Sequence, residues 1–319
     1  MKTKTNPNIK VILLWVLLAI ILVTSAAIIP IGGDFRNNFR LAGKALIIGK
    51  SPYLVDGFYS PPWLAVLFIP FALLPERLSW IIFYSLNLII YTIALIRLGI
   101  NKWELILIMI SPYAFYSFCF GNIDSLVLLG ATLSPFWGIW LLLCKPQMTI
   151  GLIAMWVYRS IRAGFKQVLK DYGLISLVCL LIWVFKLYPP NTPIQKTWNI
   201  QAFPWGIIPG GLMFWIAIKN SDRNLALASS PFFSPYVAIQ SWVVTLLPAS
   251  KNITLLLLGN AISWVLLWIF IKEIPFSFDT VLIIIWGFMI LGYQYKKMAK
   301  YSDPKSNAVD YYKNQEDDY

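Results

Sequence analysis

Long apolar runs recur down almost the whole chain, and they constrain its fold more than any other feature. They occupy residues 11–31, 79–98, 105–120, 136–158, 172–187, 206–218, 225–247, 251–271 and 278–293. A bilayer core takes about 20 residues of helix to cross. In lipid every backbone N–H and C=O needs a partner inside its own segment, which a helix provides. Charged residues are 13% of the chain, against about 25% in a soluble domain. The expected fold is therefore all-α: a polytopic membrane helix bundle of about 10–12 transmembrane or re-entrant helices. Residues 1–295 read as a single integral domain. The tail, residues 296–319, is polar and mixed in charge, and is expected to be disordered.

Charge sets an expected orientation. The net charge is +12, and the tail, with balanced Lys and acidic residues, contributes none of it. The excess sits at the ends of apolar runs, as the positive-inside preference and anionic headgroups require. That placement argues against nucleic acid as a partner. The lysines before residue 11 and the cation-rich segment 159–170 then lie on the cytoplasmic side. Loops 31–60 and 188–205 lie on the other. Strict alternation puts Arg97 and Lys102 outside as well, against the same preference; a re-entrant helix nearby would repair the conflict. Three cysteines, none in a CxxC spacing, give no disulfide framework. The absence of His removes imidazole acid–base chemistry and His-containing metal sites.

Loop 31–60 concentrates the chemistry. Gly32 and Gly33 break the preceding helix, and Asp34 stands where an N-cap would stand. A short amphipathic helix follows, ended by Gly49 with Pro52 beyond. At about 100° per residue, Arg36, Arg40 and Lys44 fall on one stripe, with Phe35, Phe39, Ala42 and Leu46 on another. Such a helix is expected at a membrane surface, apolar side down. Asp34 and Asp56 are the acidic residues of this loop, so a reaction on this face that needs a carboxylate base has little choice. Capping alone would also explain Asp34, and spacing does not separate the two roles.

Lys145 lies within the apolar run 136–158. A lysine at the bilayer centre costs about 2.5–3.5 kcal/mol, so such residues usually have a use. Counting from Arg159 at about 1.5 Å per residue puts it about 21 Å along the helix, in the outer half of the core. The expected partner is an anionic headgroup or lipid phosphate, with snorkelling at a helix break as the plainer explanation. Loop 188–205 offers Lys196, Trp198, Asn199, Gln201 and Trp205, which suit sugar binding but equally fit an interfacial aromatic belt. Prolines 231 and 235 interrupt the run 225–247, so that helix is expected to break beside a cavity.

Taken in order, several motifs resemble one family. They are Asp34-Phe35, Gly49 with Ser51-Pro52-Tyr53, Tyr59 with Pro61-Pro62, Gly121-Asn122, Lys145-Pro146, Ser230-Pro231 and Ser234-Pro235-Tyr236. Their succession over residues 33–248 is similar to that of the GT-C integral-membrane glycosyltransferases of family 87, which use polyprenol-phosphate-mannose. The resemblance implies a GT-C-like bundle with Asp34 as the catalytic base. It implies inverting transfer of a mannose-like hexose from a polyprenyl-phosphate donor to a glycolipid, glycan or other hydroxyl acceptor. No cofactor or divalent metal is implied. The substrate-binding set is then Arg36, Arg40, Lys44, Tyr53, Tyr59, Asn122, Lys145, Gln147 and Lys196, with membrane lipids as further partners. The chain departs from the family at Asn122, where Gln is usual, and lacks the outer-loop histidine that some members place near the donor phosphate; either Lys196 or a first-loop arginine substitutes, or the activity differs or is lost. The competing readings are a non-catalytic lipid-binding or transporter-like protein and a lipid-linked glycan polymerase.

Overall fold

Helices account for all the regular structure of the computed structural model, which describes residues 23–185, 187, 199–272 and 277–302; among them there is no strand. The first described helix, α1, covers residues 23–28. Arg77 donates to the carbonyls of Ala27 and Ile29, closing the open end of α1. A π-helical turn, Asp34–Phe39, runs directly into α2 (Arg40–Ile47). Gly49, at φ +70°, reverses the chain as its position predicts.

The π-α2 segment is amphipathic as expected, but its apolar side packs on protein instead of a membrane surface. Phe35 and Ala42 are fully buried and Phe39 nearly so. Phe35 meets the rings of Phe68, Phe71, Trp80 and Phe83, at centroid distances of 4.7–6.3 Å. Such pairs are worth about 0.5–1.5 kcal/mol each beyond area burial. Phe68 joins two short helices, α3 (Pro62–Leu67) and α4 (Ile69–Leu73); Phe71 lies on α4, and Trp80 and Phe83 on α5 (Glu76–Arg97). At these lengths α3 and α4 together cannot cross a bilayer. Chain direction is thereby preserved, and α5 starts on the Asp34 side.

That pair repairs the expected topology. Helix α5 is about 33 Å long at 1.5 Å per residue and carries Arg97 to the far end. There Arg97 shares a cleft with Arg159 and Arg223. Arg97 therefore belongs with the 159–170 segment, and strict alternation is wrong at this point.

The run 105–120 is broken by Pro112 into α6 (Lys102–Met109) and α7 (Pro112–Phe120), bent by 59°. Two short helices follow, α8 (Asp124–Gly130) and α9 (Pro135–Leu142), then α10 (Pro146–Ala163) and α11 (Phe165–Val184). Helices α12 (Ile207–Asn220) and α13 (Arg223–Phe233) are next. Small residues let α10 and α13 pack closely: a Cβ on Gly151 would lie 2.4 Å from the Ala226 carbonyl oxygen, and Gly151 N–H donates to the Ser230 hydroxyl at 3.0 Å. This is the close approach that membrane bundles favour. After α13 the chain opens at Ser234, resumes as a 3₁₀ segment, Ile239–Thr245, and α14 (Leu246–Ala249), and finishes with α15 (Ile253–Ile271) and α16 (Ser277–Ser302).

Four described helices are long and apolar enough to cross a membrane, α5, α11, α15 and most of α16; the bent pair α6–α7 would make a fifth. The expected 10–12 helices counted re-entrant pieces with spans; among the described residues proline and glycine cut the middle of the chain into such short pieces. The molecule is an all-helical bundle compatible with a multi-pass membrane protein. α11 buries only Asp171, Tyr172 and Ile175 and leaves its leucines exposed, as a lipid-facing helix would. α16 continues to Ser302, past the expected start of the tail at 296; residues 303–319 lie outside the described residues.

Candidate functional site

Two glycines bring the site together. A Cβ on Gly32 would lie 2.4 Å from the carbonyl carbon of Phe120, and one on Gly121 would lie 2.7 Å from Phe35 Cβ and from Trp80. Gly121 also takes φ +68° to close α7, a conformation that glycine adopts freely. The first loop can therefore lie directly on the 120–122 turn, with Asp34 against Asn122.

Asn122 is buried, and its neighbours fix the amide. Its Oδ1 accepts from Ile123 N–H at 2.8 Å, which turns the NH₂ group toward Asp34 Oδ2, 2.5 Å away. The Asn122 backbone carbonyl accepts from Asn87 Nδ2 at 3.0 Å. Asn38, one turn further along the π-α2 segment, donates to the other oxygen of Asp34 at 3.4 Å. Asp34 makes no capping bond, and the cap position belongs to Gly33. Capping therefore does not explain Asp34, and both carboxylate oxygens are held by amides reaching in from side chains.

Lys145 has a partner that was not foreseen. Its Nζ lies 2.5 Å from Asp124 Oδ1, with both side chains buried. This overturns the expectation that an anionic lipid group is its partner: burial of an unpaired charge is costly, and a carboxylate one helix away removes that cost. The other Asp124 oxygen has no hydrogen bond. Asp124 and Lys145 also act on Asp34. Burial raises the Asp34 pKa above its ordinary value; the Lys145 cation and the Asn122 bond pull it back, and the Asp124 charge adds to the rise. Asp34, Asp124 and Lys145 thus form one electrostatic unit around Asn122.

Asp34, Asn122 and Lys145 of this unit line a cavity of about 1250 Å³, with Asp124 buried behind Lys145. Of the expected site residues, Asp34, Lys44, Tyr59, Asn122, Lys145 and Gln147 line it. Its walls also hold Asn37, Asn38, Asp56, Tyr116, Phe120, Tyr236 and Gln240. Tyr116 and Phe120 stack at 4.1 Å. Gln240 is buried, and its Oε1 has no partner. Burial, then Asp34 and Tyr59, raise the pKa of Tyr236, which keeps its phenol a donor. The rim carries the exposed side chains of Leu41, Ile48 and Leu54 beside exposed Lys44. The expected break after α13 does lie beside a cavity, since Tyr236 and Gln240 face this one.

Other expected residues serve elsewhere. Arg36 pairs with Glu76 at 2.9 Å, and Arg40 donates to the Leu74 carbonyl at 2.9 Å. Their stripe grips the turn before α5 and does not join the cavity wall; Lys44 alone of the three does. Tyr53 O–H donates to the Ser60 carbonyl at 3.2 Å, and burial pushes its phenol up to about 12. It braces the loop and is likewise off the wall. Asn199 accepts from Val237 N–H and donates to the Pro235 carbonyl, so it fastens residues 199–202 to the break after α13. Trp205 is exposed. Lys196 and Trp198 lie outside the described residues. Among the described residues, no three His, Cys, Asp or Glu side chains gather where they could hold a metal ion.

Sequence reasoning missed Asp124, Asn38 and Gln240. Asp124 had a signal: a lysine inside an apolar run calls for a buried acid, and Asp124 is the acid inside the neighbouring apolar stretch. Asn38 sits four residues from Asp34, one helical turn away. Gln240 had no signal before the break was placed. Together, fold and site define an all-helical bundle with several helices able to span a bilayer and a carboxylate-centred cavity at one end. Comparison with known proteins gave no matching family model, no matching curated protein and no matching solved structure.

Proposed function

We propose that this protein is a membrane glycosyltransferase that moves a hexose from a polyprenyl-phosphate donor to a hydroxyl acceptor, with Asp34 as general base. The observation that carries the reading is the cavity itself. It joins a buried, amide-held carboxylate to a rim of exposed apolar side chains and one cation. A polyprenyl chain matches the apolar rim and a phosphate matches Lys44. Stacked rings and the amides of Asn37, Gln147 and Gln240 suit a sugar. A cavity joined to the rim of the bundle favours transfer over a transport cycle through the bilayer midplane.

In this reading the acceptor hydroxyl loses its proton to Asp34 as its oxygen attacks the anomeric carbon. A positioned base contributes about 10²–10⁴-fold. A pKa raised by burial makes Asp34 a stronger base than a surface aspartate. The bond to the phosphate oxygen breaks, and the lipid phosphate leaves with the electron pair. Lys44 lines the cavity without an ion pair among the described residues and is the cation best placed to accept that charge. Lys145 is engaged by Asp124 and acts through its field on Asp34. The sequence resemblance to family 87 of the GT-C glycosyltransferases supports the same assignment, with a mannose-like hexose as the donor sugar. The test is transfer of labelled sugar from synthetic polyprenyl-phosphate hexoses by purified protein. A fall in turnover of about 10²-fold or more in Asp34→Asn is expected. Wild type that transfers no sugar from any of these donors would end the reading.

A further inference from the structure

The end of the molecule away from Asp34 carries a second built cleft, of about 330 Å³. Three arginines line it, each from a different element: Arg97 at the end of α5, Arg159 on α10 and Arg223 at the start of α13. Leu98, Met155 and Trp156 supply apolar lining. The one carboxylate on the wall, Asp222, already accepts from Leu225 N–H at 3.0 Å. Among the described residues none of the three guanidiniums has an ion pair or hydrogen bond. Asp222 offsets one of the three charges, and the excess positive charge that remains on this concave surface attracts an anion. Guanidinium forks match phosphate oxygens in geometry, two N–H groups at a time. Arg97 ends an apolar span, so the cleft lies at headgroup depth, and its volume admits a headgroup but no large ligand.

We propose that the Arg97–Arg159–Arg223 cleft is an anion site for a phosphate group, held at the membrane face opposite the Asp34 cavity. The phosphate can belong to an anionic phospholipid or be free in solution, and the two sources separate by experiment. Purified full-length protein is titrated with phosphatidylglycerol, and with phosphatidylcholine for comparison, and bound lipid is counted by native mass spectrometry. Wild type should prefer phosphatidylglycerol. R97Q/R159Q should lose about tenfold in apparent affinity for each arginine removed, from the loss of its charge-assisted hydrogen bonds to the phosphate. K166Q/K170Q removes the same charge from exposed positions at the same end, outside the cleft, and should bind as wild type does. Inorganic phosphate that displaces the lipid makes the free ion a competent ligand; lipid that resists it assigns the site to the phospholipid. An unchanged affinity in R97Q/R159Q, or an equal loss in K166Q/K170Q, would overturn the proposal and leave only general surface attraction. Arg97 and Arg159 are exposed, so folding should survive; if the double variant fails to fold, Arg223→Gln against Lys166→Gln carries the same comparison.

Discussion

Asp34 concentrates the residue-scale argument, because its burial makes opposite demands on stability and chemistry. The folded chain holds the Asp34 proton above its ordinary pKa of 3.8. The folded state therefore binds more protons than the unfolded one between that value and the raised one. Stability from this group is fully present below 3.8 and is lost as pH rises through the folded value. Asp34→Asn removes a destabilising charge at neutral pH, while an amide oxygen can still accept from Asn122. Its melting temperature should equal or exceed that of wild type at neutral pH, with the gap closing toward acid. Transfer should fall by about 10²-fold or more. A melting loss at neutral pH would mean that the carboxylate is structural. Asp56 lines the same cavity but is exposed and has no hydrogen bond among the described residues; Asp56→Asn should cost at most about threefold, well short of the loss of a general base. The Asp124–Lys145 pair gives a separate test. Lys145→Met strands a buried carboxylate and should cost about 3–5 kcal/mol in unfolding experiments. Adding Asp124→Leu should recover most of that loss, since a packed apolar pair of similar volume is often no less stable than a buried ion pair.

Among the elements, the contact between the first loop and the 120–122 turn decides whether Asp34 is in place. Gly32→Ala drives a methyl into the backbone of Phe120 and Gly121, which neither element can yield cheaply; overpacking of this kind costs about 1–3 kcal/mol. Gly33→Ala is the comparison, because its nearest neighbour is a side-chain atom 3.8 Å away. Gly32→Ala should lower both the melting temperature and transfer, and Gly33→Ala should change neither; equal effects would remove the packing argument. The sequence carried part of this contact openly. Gly32, Gly49 and the prolines at 52 and 135 mark breaks or ends that the chain does make; Pro231 stays inside α13, and that break falls at Ser234, before Pro235. The periodicity of residues 34–47 showed an amphipathic helix but not what covers it. A fully buried Phe35 and one pressed into lipid leave the same pattern, and only the aromatic partners on α3–α5 tell them apart. The fate of Arg36 and Arg40 was hidden for a similar reason, since their acceptors lie some 34–40 residues away.

For the whole molecule, the division into two ends is the feature most open to test. α5 and α10 both run from the Asp34 cavity toward the arginine cleft. In a cysteine-free background, Lys50→Cys and Lys166→Cys should label from opposite sides of a sealed membrane, the first from outside the cell if the cation distribution sets the orientation. Labelling of both from one side would contradict the two-ended arrangement. Apolar composition made the membrane class legible, because no arrangement of these runs is comfortable in water. It left the division between full spans and re-entrant pieces open, because hydropathy cannot tell one crossing helix from two short ones meeting at a proline. The bend of 59° between α6 and α7 is such a case.

The Asp34–Asp124–Lys145 unit has one more consequence. With all three groups ionised its formal charge is minus one, and it lies in a buried setting where charge is weakly screened. Any anionic ligand seated beside it must push the Asp34 pKa higher still. At a pH close to the raised value, binding would then draw a proton from solution, and the heat measured in a calorimeter would depend on the ionisation enthalpy of the buffer. An uncharged sugar in the same cavity should give the same heat in every buffer. A phosphate-bearing donor should not, and the difference counts the protons taken up.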